Sequence, residues 1–207
     1  MLRILGRLSS VNVQKVVWCA DELGLEYERV DVGGAFGGND QPGYLAKNPN
    51  GLIPVIEDDG FVLYESNAIV RYLAAKHAQA SGLWPAELER RADVDRWMEW
   101  QSTGFTPAML VAFWGLCRTP EDKRDAKAIE ASLQKGEKFA AVIDAHLAGR
   151  EHVAGNAFSP ADIVVGCATH RWLGLPAPRE PRPNLQRWYA TLRTRPGAQQ
   201  VLSQPVA

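Results

Sequence analysis

Two short polar clusters in the first third of the sequence have the composition of an anion-binding site. Glu65 and Ser66 directly precede one apolar run with helical spacing, and Ser9, Ser10 and Asn12 precede another. The first turn of a helix leaves backbone N–H groups without partners and carries a partial positive charge, so it favours a carboxylate. Hydroxyl and amide side chains at such a position either cap the helix or donate hydrogen bonds to a ligand, and the two roles are compatible.

Pro54 is unexpected because it lies where a strand should begin to pair. It follows Gly51 and precedes the turn Asp58-Asp59-Gly60, and its neighbours otherwise indicate a strand. Proline has no N–H to contribute to a ladder, so it is confined to edges, strand starts and bulges. An edge proline that only blocks aggregation is one explanation, and the residues alone leave a functional role open.

The elements that position these residues form an α/β domain with a mixed sheet. We predict, in chain order, a strand at 2–5, a helix at 12–23, a strand at 27–32, a loop at 33–43, a brief turn-like segment at 44–51, strands at 53–58 and 61–65, and a helix at 66–76. One crossover helix makes the first two strands parallel, and the Asp-Gly turn joins the last two as a hairpin. When the brief segment is counted as a helix, the order is β-α-β-α-β-β-α.

Residues 78–86 break this pattern and are the best candidate for a linker, and the chain beyond them is predicted to be helical. The predicted helices are 87–117 with a bend near Pro107, 120–147, one that starts at the capping box Ser159-Pro160-Ala161-Asp162, and 184–194. The helix after the capping box is apolar nearly all round and should be buried. We therefore expect an α/β domain at 1–78 and an all-helical domain at 87–207.

Composition argues against several classes of protein. The net charge is −1, there is no run of 18 apolar residues, and the apolar part of the N-terminus is too short for a signal peptide. Cys19, Cys117 and Cys167 are odd in number and far apart, which suits a reducing cytosol and indicates neither a disulfide framework nor a metal cluster. We therefore expect a cytoplasmic protein that binds no nucleic acid, no membrane and no metal.

A proline before the third strand of such a domain is typical of the thioredoxin-like fold, and the chain resembles a cytosolic glutathione transferase over its whole length. The segments GRLSSVNVQKV, NPNGLIPVI and ESNAIVRYLA are similar to the bacterial theta/beta-like branch of that family. In the second half, FSPADI and RPNLQRWYATLRTRP resemble the family's helical domain. The resemblance implies that glutathione is the co-substrate.

The resemblance also implies a role for Pro54. In this family the matching X-Pro bond is cis and turns the backbone of the preceding residue toward the ligand. Ile53 is therefore expected to offer its N–H and C=O to the cysteinyl backbone of glutathione, as a strand would. At the next helix start, Ser66 suits the γ-glutamyl carboxylate and Glu65 suits the ammonium.

One position departs from the family's pattern. Many relatives carry a basic residue two before the proline, where it reaches the glycyl carboxylate of glutathione, but this chain has Leu52. Asn39, Asp40 and Gln41 lie in a loop that could reach the same carboxylate, and Asn39 is the candidate. We therefore expect either a modest affinity for glutathione or a pocket that accepts a modified thiol.

The family places its reactive group between the first strand and the first helix. Where a glutaredoxin has Cys-x-x-Cys, this chain has Ser10-Val11-Asn12-Val13, so the reacting sulfur must come from the ligand. Only a thiolate attacks, and a hydroxyl donor with a helix N-terminus behind it would lower the thiol pKa. Ser10 matches the catalytic serine, and Asn12 matches an asparagine that also points at the sulfur. Ser9 is a rival for Ser10, and plain capping is the alternative for all three.

The electrophile of this family lies between the two domains, against the first helices of the helical one. The matching stretch, 97–117, is rich in apolar and aromatic residues, which suits small apolar electrophiles. The candidate pocket residues are Phe105, Met109, Phe113 and Trp114, with Trp100 beside them. For any one of them, a place in the core of the helical bundle is the alternative, and the sequence names no particular electrophile.

Two kinds of function fit the sequence. The first is a glutathione transferase, with peroxidase or disulfide reductase activity as a variant. The second is a non-catalytic module with the same fold that binds glutathione or a protein. The intact polar set at both helix starts favours the enzyme, and Leu52 weighs slightly against it. The resemblance further implies a homodimer, and residues 90–100, with Val94 and Trp97 among charges, could supply its surface.

Overall fold

The structure, a computed structural model, describes residues 1–206. Within those residues the chain divides into two compact units. The first is Met1–Trp84 together with Arg195–Gln204, and the second is centred on Pro85–Thr194. The segment from Arg195 to Gln204 therefore groups with the first unit, whereas the sequence led us to expect it in the helical one.

The first unit contains the mixed sheet that the sequence predicted. Its strands are β1 (Leu2–Leu5), β2 (Tyr27–Val30), β3 (Val55–Asp58) and β4 (Phe61–Tyr64). In the described part of the chain these four strands form one sheet in the order β2-β1-β3-β4. β1 runs parallel to β2 and antiparallel to β3, and β3 runs antiparallel to β4. The parallel pair follows from the crossover helix and the antiparallel pair from the Asp-Gly turn.

Helices of the first unit pack on this sheet and on each other. They are α1 (Val11–Glu22), α2 (Pro42–Leu45), α3 (Ser66–Lys76) and α4 (Ala78–Ser81). α1 packs against α3, and both bury apolar side chains at helical spacing. α2 is the segment predicted as brief and turn-like. α4 lies in the stretch predicted as a linker, and Leu83 after it is buried, so that stretch is partly ordered against the unit.

Asp58, at the end of β3, joins the hairpin to α3. Its carboxylate accepts hydrogen bonds from Tyr72 Oη at 2.8 Å and Lys76 Nζ at 2.6 Å. Burial alone would raise the pKa of Asp58, but the bonds from Lys76 and Tyr72 outweigh it and hold that pKa below its ordinary value. The ion pair therefore joins the C-terminal end of β3 to the C-terminal end of α3.

The second unit is helical, as expected. Its helices are α5 (Leu88–Trp100), α6 (Thr106–Cys117), α7 (Ala126–His146), α8 (Pro160–Gly174) and α9 (Pro183–Leu192). The bend predicted near Pro107 is a π-helical turn, Gln101–Phe105, and Pro107 takes the second position of α6. Proline cannot donate to the carbonyl four residues earlier, so the regular ladder is interrupted there.

Two helix starts show how well capping signals predict boundaries. The helix expected from Pro120 begins later, at Ala126, because Asp125 caps it by accepting the N–H of Ala128 at 3.0 Å. The capping box at Ser159 is confirmed. Asp162 accepts the N–H of Ser159 at 3.0 Å and is fully buried, which raises its pKa. α8 is buried along most of its length, as its apolar sequence indicated.

The segment after α9 returns to the first unit and ends in α10 (Gln199–Leu202). Arg195 forms an ion pair with Glu22 at the end of α1. Gly197 lies against the backbone of Glu22. Within residues 1–206, no helix combines the length and the apolar character that crossing a membrane requires.

Candidate functional site

The loop before β3 holds the backbone of Ile53 in a defined position. The Ile53–Pro54 bond is cis, as expected, and Pro54 is buried one residue before β3 begins. The carbonyl of Leu52 accepts hydrogen bonds from Tyr44 Oη at 2.7 Å and Asn48 Nδ2 at 2.8 Å. Two side-chain donors on one carbonyl restrict the loop, and they also restrict the direction in which Ile53 presents its backbone.

Sequence reasoning missed Tyr44 and Asn48. Asn48 is buried. Its Nδ2 donates to the carbonyl of Leu52, and its Oδ1 accepts a hydrogen bond from the N–H of Asn50 at 3.1 Å. Burial raises the pKa of Tyr44 to about 12, so its hydroxyl stays protonated and acts as a donor. The NPNG motif at 48–51 is the signal that could have found Asn48, since asparagine side chains commonly close turns of this composition.

Asn39, expected near the glycyl carboxylate, lies beside this loop. Its Nδ2 donates to the carbonyl of Gly51 at 2.7 Å. A side-chain amide has two N–H donors, so one remains for a ligand. The side chain of Leu52 is exposed and offers no charge. Asn39 therefore stabilises the loop before β3 through this hydrogen bond. Its contact with the glycyl carboxylate of glutathione stays a prediction.

Three segments converge on Ile53. A Cβ at Gly6, which directly follows β1 and has φ +154°, would lie 3.3 Å from Ile53 Cβ and 2.5 Å from Val13 Cγ2. Only glycine fits this close approach. A Cβ at Gly33, in the loop after β2, would lie 3.3 Å from Ile53 Cδ1. The junction of β1 and α1, the loop after β2 and the loop before β3 therefore meet at one place.

Ser10 begins α1 at this junction. It is the N-cap residue with extended backbone angles (φ −86°, ψ 124°), and its side chain makes no capping hydrogen bond. Ser10 and Asn12 are half-buried, whereas Ser9 is exposed. The hydroxyl of Ser10 therefore does not serve as a cap, the alternative that the sequence left open. A ligand here would meet it beside the positive end of the helix.

The start of α3 has an unusual backbone. Glu65 has φ +71° and ψ 108°, a left-handed conformation that is uncommon for a residue with a side chain. Strained backbone of this kind tends to occur at functional sites, where neighbouring structure holds it in place. Glu65 is exposed, and Ser66, the first residue of α3, is buried. The pair thus combines an exposed carboxylate with a helix N-terminus.

Lys15 is a third residue that sequence reasoning missed. Its Nζ lies 3.2 Å from Asn67 Oδ1 and 3.5 Å from Ser66 Oγ, so it joins α1 to the start of α3. The side chain is buried. The signal that could have found it is a single charge within the apolar run VQKVVWCA, at 13–20.

The residues predicted to line an electrophile pocket have different environments. Phe105, Met109 and Phe113 are buried, and the ring of Phe105 contacts those of Phe139 and Trp172 within the helical unit. Their burial favours a place in the core of the helical bundle, the alternative that the sequence left open. Trp114 is 50% exposed and offers an aromatic surface on α6.

The cysteines do not supply a reactive sulfur. Cys19 and Cys167 are buried, as their apolar surroundings indicated. Burial raises the pKa of the Cys19 thiol. Burial also raises the pKa of Cys117. The positive charges of Arg171 and two further arginines lower it, but by less than burial raises it. A thiol with a raised pKa is a poor nucleophile at neutral pH.

Comparison with known proteins gives matches over both units. The family described as "Glutathione S-transferase, N-terminal domain" matches residues 5–81, and "Glutathione S-transferase, C-terminal domain" matches residues 105–196. The chain is 40% identical to glutathione S-transferase GstB of Escherichia coli K12 over 209 aligned positions, which cover 100% of both chains. It is 33% identical to glutathione S-transferase 3 of Zea mays, over 98% of this chain and 93% of that one.

Solved structures agree with the sequence matches. The crystal structure of the theta class glutathione S-transferase from Xanthomonas axonopodis pv. citri with glutathione bound superposes with a TM-score of 0.95 and 44% identity, covering 100% of this chain and 99% of that one. Glutathione transferase F7 from Populus trichocarpa superposes with a TM-score of 0.86 and 29% identity, covering 97% of both chains.

Proposed function

Because the chain belongs to the glutathione S-transferase family, we propose that it binds glutathione, ionises its thiol and transfers it to small apolar electrophiles. The convergence of three segments on Ile53 carries this proposal, since it brings the start of α1 close to the loop before β3. In the reaction, the thiol proton leaves to solvent and the thiolate forms a C–S bond with an electrophilic carbon. The displaced electron pair goes to the leaving group or to the adjacent unsaturated bond.

Glutathione is held through its backbone and its γ-glutamyl end. The N–H and C=O of Ile53 pair with the cysteinyl residue as a strand would, in an orientation that Tyr44 and Asn48 support. Ser66 binds the γ-glutamyl carboxylate through its hydroxyl and the N–H groups of α3. Glu65 pairs with the ammonium. The second N–H of Asn39 serves the glycyl carboxylate.

The thiolate is held at the start of α1. Ser10 donates its hydroxyl to the sulfur, and Asn12 donates a side-chain N–H from the first turn. Hydrogen bonds to the charged form, together with the helix N-terminus, favour the thiolate over the thiol.

The electrophile meets an aromatic surface on α6. Trp114 supplies the exposed part of that surface. Phe105, Met109 and Phe113 are buried, and they support this surface through the core of the helical unit and not by direct contact with the electrophile. Conjugation of apolar electrophiles in the cytoplasm would serve detoxification.

Glutathione affinity tests the γ-glutamyl site. Wild-type protein should bind glutathione in titration calorimetry, and Glu65→Ala should weaken binding about 2- to 10-fold, because it removes one partly solvated ion pair and no core contact. Glu121→Ala, which changes an exposed acid of the second unit, is the control and should bind as wild type does. Equal affinity of the Glu65 variant and wild type would show that Glu65 is only a solvated acid.

We also propose that the protein is a homodimer that pairs the first domain of one subunit with the helical domain of the other. Residues 90–100 do not supply the apolar surface we expected, because Val94 and Trp97 are buried within their own chain. β4 is a better candidate. It is an edge strand, and Phe61 on it is 47% exposed.

Light scattering tests the dimer. Wild type should have a mass about twice 22.8 kDa at micromolar concentration. Phe61→Glu should shift it toward the monomer mass, because a charge would be buried in the interface. Phe36→Glu, which changes another exposed phenylalanine, should leave the mass unchanged. A wild-type mass near that of one chain would refute the proposal.

A further inference from the structure

Lys15 has an environment that its place in the sequence does not explain. It lies in the middle of α1 and is only 2% exposed. Removing an ammonium group from water is costly unless hydrogen bonds or opposite charge compensate. The site as described above gives this lysine no direct contact with glutathione.

Lys15 Nζ donates to two oxygens at the start of α3. Asn67 Oδ1 is 3.2 Å and Ser66 Oγ is 3.5 Å from its Nζ. An ammonium has three N–H donors and no acceptor, so both oxygens must act as acceptors toward it. The hydroxyl proton of Ser66 therefore points away from Lys15, and a hydroxyl oriented in this way can donate to a group on its other side.

Lys15 also connects the two ends of the proposed site. α1 carries Ser10 and Asn12 at its start, and α3 carries Ser66 at its start. A hydrogen bond between the helices fixes their spacing at this level. In addition, a buried positive charge strengthens the attraction of the α3 N-terminus for an anion, because low-polarity surroundings screen it weakly.

We propose that Lys15 is a positioning residue for the γ-glutamyl carboxylate of glutathione. It orients the hydroxyl of Ser66 toward the ligand and adds positive charge at the start of α3. This inference rests on the proposed glutathione site. It predicts that substitution of Lys15 weakens the binding of ligands that carry the γ-glutamyl group and does not weaken the binding of ligands that lack it.

The experiment compares two ligands. Lys15→Met keeps the length of the side chain and removes its charge. It should raise the KM for glutathione about 10-fold and leave kcat at saturation within about 2-fold of wild type. Cysteinylglycine lacks the γ-glutamyl group, and its affinity should change less than about 2-fold. Gln14→Met, which changes the neighbouring buried polar residue, is the matched control and should leave the ratio of the two affinities at the wild-type value.

The outcomes separate the inference from the proposed function. Wild-type protein that does not bind glutathione would overturn both. If wild type binds glutathione and Lys15→Met binds it equally well, only the role of Lys15 is overturned. Equal weakening of both ligands also overturns it, because a merely structural role would not distinguish them. In the Ser66→Ala background the effect of Lys15→Met should shrink, since the hydroxyl it orients is gone.

A second measurement uses wild-type protein, so it tests the proposal even if Lys15→Met does not fold. In wild-type protein labelled with 15N-lysine, the Nζ signal of Lys15 should shift on addition of glutathione and not on addition of cysteinylglycine. A signal that responds to neither ligand, or to both alike, overturns the proposal.

Discussion

Alanine at both Ser10 and Asn12 should slow glutathione conjugation near pH 6.5 by about 10- to 50-fold. We expect the wild-type site to lower the pKa of bound glutathione by about one to two units from a free value of about 8.5. At pH 6.5 this raises the thiolate fraction from roughly 1% to roughly 10–50%. Each single substitution should lose part of the effect, because the other donor and the N-terminus of α1 remain.

The pH dependence has a definite sign. The site favours the deprotonated thiol, so its rate advantage is fully present below the lowered pKa and is lost as the pH rises through the free value. Above about pH 8.5 glutathione ionises unaided, and the rates of the variants should approach that of wild type. An activity loss of equal size at pH 6.5 and pH 9 would indicate lost binding or a disturbed fold, and not lost thiolate stabilisation.

Thiolate absorbance measures the effect directly. The complex with glutathione should be titrated for wild type, Ser10→Ala, Asn12→Ala and the double variant, and conjugation should be assayed with a panel of apolar electrophiles. Ser9→Ala, which changes the exposed neighbouring serine, is the matched control and should titrate as wild type does. If all five proteins titrate at the free-thiol value, these residues do not activate glutathione.

Gly197→Ala should lower the free energy of unfolding by about 1–3 kcal/mol, because overpacking at a rigid contact forces neighbouring elements apart. A Cβ at Gly197 would lie 2.9 Å from both Cα and N of Glu22. These are backbone atoms near the end of α1, so no change of rotamer relieves the clash. The same glutamate pairs with Arg195, so a displaced segment would also weaken that ion pair.

Gly43→Ala is the matched control for this substitution. Gly43 lies in α2, where an added Cβ would meet nothing within 4 Å, and alanine favours a helix over glycine. Urea unfolding followed by circular dichroism should show a lower midpoint for Gly197→Ala and an equal or higher one for Gly43→Ala. Equal midpoints for Gly197→Ala and wild type would mean that the C-terminal segment does not pack tightly against α1.

Signals between near neighbours determined most of the elements and much of the proposed site. Gly24 ended the first helix, the Asp-Gly turn made the hairpin, and the capping box at Ser159 set the start of α8. Each of these features depends on backbone angles or hydrogen bonds within a few residues, so the local sequence is enough to predict it. The same holds for the helix starts at Ser10 and Ser66, which needed only a polar residue before an apolar run.

Tertiary structure alone decided which side chains are buried and what they meet. Lys15 contacts Asn67 across 52 positions, and Arg195 meets Glu22 across 173, so no local pattern encodes either pair. Phe105 and Met109 had the composition of a ligand pocket, yet they are buried, because an apolar side chain packs equally well against a protein or a ligand. Hydrophobic burial has no direction, and only the arrangement of whole helices determines which apolar side chains stay exposed.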